Sequence, residues 1–278
     1  MQEPKTLNPD EESHEPFVRG DEAVALVNRH QITLDSYPLS VPHSDALAVE
    51  LMSRGPYFAM ELLPGYLLVI REEDEPSMEY FKRGIDPAPD AGDYIADLRM
   101  HLFSTADRRL AGALAAEIYN LEMMLSSYDI DEVWEHFDNH SSDRVSLFEA
   151  VRDSRVMGPR LRQCEENSIE SGFCLFHLDK IGIEPDYRHR SLGTSLFDFS
   201  LKYAYFSGAC DFALTLPFAP AYERGSFQYP EFDDDEDSEG GVESIAVRAL
   251  TRFIKRRGFR KPGRDSEFYF RKLEFDRW

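Results

Sequence analysis

The chain has 278 residues, of which 42% are hydrophobic and 13% aromatic, so it can bury a core as one large domain or two small ones. Its 52 acidic residues outnumber 31 basic ones, for a net charge of -21. Binding nucleic acid as the main task needs cations that neutralise phosphates, and an acidic surface works against it. Three cysteines with no C-x-x-C spacing exclude a disulfide framework and a zinc motif. The opening "MQEPKTLNPDEESHEP" has no apolar segment of the signal-peptide kind, and no run approaches eighteen apolar residues. The expectation is a cytoplasmic protein with no membrane and no nucleic-acid partner.

Residues 1–18 read as a disordered or loosely attached tail. Residues 19–92 read as an α/β part: a helix over 45–55 ended by Gly55, then two apolar runs flanking the turn dipeptide Pro64-Gly65, a β-hairpin. Residues 93–157 read as helical. Leu110, Leu114, Ile118, Leu121 and Leu125 recur at spacings of three and four, and two further helices open at Asp or Ser. From 158 to 278 the order becomes strand, helix, strand, helix, strand, which implies a sheet with parallel neighbours and crossover helices.

His136 and His140 have a metal-compatible helical spacing but no third ligand, so a solvated helix face is the reading and no metal is expected. Residues 233–240 read as a solvated acidic loop, with attraction of a cationic substrate as the alternative. The basic run from Arg252 to Lys261 suits the C-terminal end of a helix dipole.

The segment "IEPDYRHRSLGTSL" joins an apolar strand to a helix. A helix N-terminus offers unpaired amides and partial positive charge. Ser191, Gly193 and Thr194 are small enough to let a ligand near the backbone, and Arg188 and Arg190 can add charge-assisted hydrogen bonds. The physical reading is a cradle for a pyrophosphate.

With Ile181, Ile183, Pro185 and Tyr187 ahead of Arg188-His189-Arg190-Ser191-Leu192-Gly193, the segment resembles the acyl-CoA-binding signature of the GCN5-related N-acetyltransferase (GNAT) superfamily, Gln/Arg-x-x-Gly-x-Gly/Ala after a strand. Ser191 stands where that family prefers glycine. "CDFALTLPF" is similar to the family's fifth strand, and the helix ending in Gly258-Phe259 to its later helix; the resemblance covers about 172–273.

It implies an α/β (α+β) fold with a central mixed, splayed sheet flanked by helices, and a helical insertion or N-terminal helical segment before the 158–278 core. It implies acetyl-CoA as co-substrate, its pantetheine arm beside Ile181, Gly182 and Ile183 and its pyrophosphate on the amides of His189, Arg190, Ser191, Leu192, Gly193 and Thr194, with Arg188 adjacent. The implied activity is direct transfer of an acyl group, most often acetyl, to a primary amine of a small molecule or protein. The family's tyrosine general acid is absent, since Ile254 occupies the position; Tyr222 and Glu184 are the acid–base candidates, with Asp179 and His177 near the same strand. The missing tyrosine also keeps open a catalytically degenerate relative that binds a ligand or partner.

Overall fold

The computed structural model describes residues 18–19, 21–32, 58–72, 94–140, 142–166, 173–206, 210–217, 241–263 and 266–274. The chain divides into two compact units, one of residues 1–71 and 103–109, the other of 72–102 and 110–278. The 45–55 helix, the 233–240 loop and Tyr222 lie outside the described residues.

In the first unit β1 (Val18–Arg19) leads into α1 (Asp21–Arg29) and pairs antiparallel with β2 (Phe58–Leu63), which pairs with β3 (Tyr66–Glu72). The expected hairpin is present. Gly65 takes φ +83, which its missing Cβ permits, and its amide donates to Glu61 Oε1 at 2.8 Å.

The strands that follow are β4 (Ile95–Ser104), whose last two residues belong to the first unit, and then, in the second, β5 (Leu110–Asn120), β6 (Cys174–Ile183), β7 (Phe212–Thr215) and β8 (Tyr269–Lys272). The β5–β6 and β7–β8 pairs are antiparallel and β6–β7 is parallel. This is the mixed sheet with flanking helices expected of a GNAT-like α/β fold.

The helical reading of 93–120 is corrected: both apolar runs there are strands. β5 is buried along nearly its whole length, so it needs apolar or small residues on both faces. A strand of that kind loses the alternation that marks half-buried strands, and its leucines fell by chance at helical spacing. Cross-strand pairing with β6, from Gly112↔Ile183 to Asn120↔Cys174, overrides the helix preference of its alanines. The helices begin where Asn120 caps, its side chain accepting from Met123 N at 3.1 Å.

Among the described residues of the connection from β5 to β6 are four helices: α2 (Leu121–Ser127), α3 (Ile130–His140), α4 (Ser142–Arg152) and α5 (Gly158–Glu165). They bury one sheet face. Tyr119, Leu175, Phe212, Leu214 and Phe270 of the strands share a core with Met124, Phe137, Phe148 and Leu161 of the helices. Phe176 alternates with Leu175 along β6 and so serves the opposite face. There α6 (Leu192–Phe206) packs on β5 and β6, and its Phe197 meets Phe253 of α7 (Gly241–Arg256) at 5.1 Å between ring centroids.

Gly112 sets the closeness of β5 and β6 near the end of β6. A Cβ there would lie 2.5 Å from Ile183 Cδ1 and 2.8 Å from the Gly182 oxygen. Gly112→Ala is therefore expected to cost about 1–3 kcal/mol in chemical denaturation. Wild-type stability in that variant would refute the steric account.

Candidate functional site

The parallel β6–β7 pairing stops at Leu178↔Thr215, while β6 continues to Ile183. Asp179 is an extra residue in β6, since Ala115 pairs with Lys180 and Ala116 with Leu178. Such a bulge bends and twists a strand. Beyond it, Ile181, Gly182 and Ile183 pair on one side with Leu114, Ala113 and Gly112, and the pairs with β7 do not extend to them. Among the described residues β6 thus runs five residues past its last pair with β7, up to the loop singled out in the sequence.

A turn over Pro185–Tyr187 ends the strand, and α6 begins at Leu192. Between them the backbone is left-handed twice, with His189 at φ 62 and Ser191 at φ 61. Non-glycine residues reach that region at a cost of about 1–2 kcal/mol each, so a folded chain holds them there only where surrounding structure dictates it. Residues alternating in this way turn successive amides inward, a geometry that favours anions. The Ser191 carbonyl accepts from Ser195 N at 3.0 Å as α6 starts, and the first amides of that helix are left without intrahelical acceptors.

The two arginines brace this loop. Arg188 Nε donates to the Ile183 carbonyl at 3.1 Å, and Arg190 Nη2 to the Asp186 carbonyl at 3.2 Å with its guanidinium 5.7 Å from the Tyr187 ring centre. Gly193 permits the close approach of α6 to β6, because a Cβ on it would sit 3.3 Å from Ile183 Cγ1.

Around the loop lies a cavity of about 330 Å³. Its walls are Ile181 and Ile183 of β6, Tyr187, Arg188, His189 and Ser191, the first turn of α6 at Leu192, Gly193 and Thr194, and Leu250 and Phe253 of α7. Sequence reading missed the last two, which lie about sixty residues from the loop and carry no local signal. Gly182 and Arg190 do not line it.

Glu184 is exposed and outside the lining; its amide closes on the Ala111 carbonyl at 2.9 Å. Asp179 is exposed and lies 3.6 Å from Lys180 Nζ. Ile254 is buried, so the position of the family's tyrosine is part of the core.

His177 is buried on β6 directly opposite Glu117 of β5, Nδ1 to Oε2 3.3 Å. Glu117 also receives Arg144 of α4, through Nε at 3.2 Å and Nη2 at 2.5 Å, and the Tyr119 hydroxyl. Burial works against its charge, but the hydrogen bond from His177 and the charge of Arg144 prevail and pull the carboxyl down to about 2. The signal for Glu117 was a lone charge within "GALAAEIYN", conspicuous only once that run is a strand.

Ser191 invites a direct test. Ser191→Gly removes strain of about 1–2 kcal/mol and adds roughly 1 kcal/mol of unfolded-state entropy, so stability should change by less than about 1 kcal/mol. Ser191→Val places a β-branched side chain at positive φ and should destabilise by more than about 1 kcal/mol. Equal melting temperatures for the glycine and valine variants would contradict the left-handed backbone.

Among the described residues no helix is long and apolar enough to cross a membrane, and no group of three or more His, Cys, Asp or Glu could hold a metal ion. No family model and no curated protein matches the chain. Among solved structures it is similar to Arabidopsis thaliana NAA60 in complex with acetyl-CoA, at 14% identity over 69% of this chain and 86% of that one, TM-score 0.31. It is similar to the apo form of an agmatine N-acetyltransferase mutant, at 13% identity over 74% and 99%, TM-score 0.33. It is also similar to the loading GNATL domain of CurA from Lyngbya majuscula, at 11% identity over 74% and 98%, TM-score 0.30.

Proposed function

We propose that the protein is an acyl-CoA-dependent N-acyltransferase, with acetyl-CoA as co-substrate and a primary amine of a small molecule or protein as acceptor. One observation carries the reading. A single cavity joins the end of β6 past its last pair with β7, the doubly left-handed loop and the first turn of α6.

The parts suit the parts of coenzyme A. The amides from His189 to Thr194 would hold the pyrophosphate, with Arg188 keeping the loop closed through Ile183. Ile181 and Ile183 offer an apolar wall and the β6 backbone a line of hydrogen-bonding groups for the pantetheine arm. Phe253 and Leu250 add apolar surface to the same cavity from α7.

The cysteines favour direct transfer over an acyl-enzyme. All three are buried, and burial pushes Cys164 up to about 11, Cys174 up to about 12 and Cys210 higher than its ordinary value. None supplies a thiolate at neutral pH.

Titration calorimetry with acetyl-CoA and free CoA tests the reading. Both should bind below millimolar concentration, and Gly193→Val should weaken them at least tenfold by pressing on Ile183 and filling the cavity. Absence of binding by the wild type would end the proposal.

A second reading has its own support. Ile254 is buried and Phe253 lines the cavity, so this stretch of α7 presents no hydroxyl to a departing thiolate. A module that binds coenzyme A without turnover fits that feature. It would show calorimetric binding with no thiol release from acetyl-CoA in the presence of amines.

A further inference from the structure

We infer that Arg257 is a positioning residue for the proposed coenzyme cavity: it holds the Phe253 ring in place as one wall and ties that wall to α6, the helix that begins at the cradle. The inference rests on the reading of this cavity as the coenzyme site.

The placement comes from the end of α7. Gly258 takes φ +82, and Phe259 N returns to the Ile254 carbonyl at 3.2 Å, which closes the helix with a left-handed cap. The residue just ahead of that glycine is thereby fixed. Arg252, Lys255 and Arg256 are exposed, as solvated cations near a helix C-terminus are. Arg257 departs from them, since its side chain keeps only 16% of its exposure.

Its neighbours say what it does. The guanidinium carbon lies 3.8 Å from the centre of the Phe253 ring, so the group is stacked on the ring's face. Phe197 of α6 stands 5.5 Å from the same guanidinium. It also meets Phe253 edge-on at 5.1 Å and Phe259 at 5.7 Å between ring centroids. Arg257 Nε donates to Oδ1 of Asp198 on α6 at 2.9 Å, and Nη1 to the Phe253 carbonyl at 3.4 Å. One side chain thus holds the ring, the backbone that carries it and the neighbouring helix.

Both contacts lead to the cavity. Phe253 is half-buried and lines it. A ring beside open space has other rotamers available, and a planar cation on its face blocks them. Asp198 belongs to the helix whose first turn supplies Leu192, Gly193 and Thr194 to the same cavity. The ion pair therefore joins two of its walls.

Stability alone is a weak account of the arrangement. Asp198 keeps 45% of its side-chain exposure, and an ion pair with so wet a partner contributes little to folding. Two apolar side chains would join the helices as well. A guanidinium is the group that can pair with a carboxylate and lie flat on a ring at once.

The test uses the full chain, with free CoA as the probe. In titration calorimetry, Arg257→Met keeps most of the side-chain length and loses both charge and plane. Its Kd for CoA should rise at least about fivefold, within the roughly 2–30-fold span that a cation–π contact covers. Arg257→Lys keeps the charge without the planar face and should raise Kd by about two- to fivefold. It carries the test if the methionine variant does not fold. The decisive comparison is a double-mutant cycle. In a Phe253→Leu background, Arg257→Met should change Kd by less than about twofold, because the ring through which it acts is gone. A 19F NMR spectrum of protein labelled with 4-fluorophenylalanine supplies the second readout. The Phe253 signal, identified by its loss in Phe253→Leu, should shift in Arg257→Met without any coenzyme, and should shift in the wild type when CoA is added. An unchanged Kd in Arg257→Met and Arg257→Lys, additive effects in the cycle, or a Phe253 signal unmoved by Arg257→Met overturns the inference and leaves the acyltransferase reading standing. A signal that moves with Arg257→Met but not with CoA overturns it too, by removing Phe253 from the coenzyme's walls. Wild-type protein that binds no CoA sinks that reading and the inference with it.

Discussion

Replacing Arg144 by alanine is expected to lower the unfolding free energy at pH 7 by about 3–5 kcal/mol, the usual effect of stripping one partner from a buried ion pair. Arg144 and Glu117 keep only 22% and 17% of their side-chain exposure, so the abandoned carboxylate cannot recover its hydration. The effect depends on pH in a direction that follows from Glu117. Its carboxyl titrates near 2 in the folded protein against 4.5 ordinarily. Because the folded value is the lower one, the stability it confers is complete above about pH 4.5 and is lost as pH falls toward 2. The difference of about 2.5 units corresponds to roughly 3 kcal/mol. Urea denaturation at several pH values should therefore show the wild type and Arg144→Ala far apart at pH 7 and converging below pH 4. Curves that stay parallel across that range would show that the ion pair carries none of the acid sensitivity.

Phe137→Ala is expected to cost about 3–5 kcal/mol as well, by leaving a cavity where a fully buried ring stood. Phe137 lies 5.8 Å from Tyr119 and 5.2 Å from Phe148 between ring centroids, so it joins α3 to the sheet and to α4. The melting temperature should fall by on the order of 10 °C. The loss also reaches the Glu117 ion pair, because Arg144 sits on α4 and Tyr119 shares the carboxylate of Glu117. Acetyl-CoA binding, whose proposed walls come from β6, α6 and α7, should change little. If Phe137→Ala weakened acetyl-CoA binding tenfold or more, the separation of the proposed coenzyme walls from this core would be wrong.

The two substitutions act on different physical terms. The first removes a counter-charge from a desolvated ion and is sensitive to pH; the second removes apolar volume and is not. Their combination should cost less than the sum, since a loosened α4 already weakens the hold of Arg144 on Glu117.

The sequence by itself determined the elements whose signals are local: the hairpin around Pro64-Gly65, the strand at Cys174–Ile183, the turn at Pro185, and the helices Leu192–Phe206 and Gly241–Arg256. A strand end, a proline and small residues at a helix start also follow one another along the chain, which is what marks that segment as the proposed anion cradle. Only the tertiary structure decided that Ile95–Ser104 and Leu110–Asn120 are strands. Hydrophobic periodicity records burial on one side, and a strand covered on both sides leaves no such record. Only the tertiary structure put Ser191 at positive φ, since a lone serine does not announce left-handed backbone. And it alone brought Arg144 and His177, 27 and 60 residues from Glu117, onto one carboxylate, because cross-strand register and helix docking are set by the packing of the whole core.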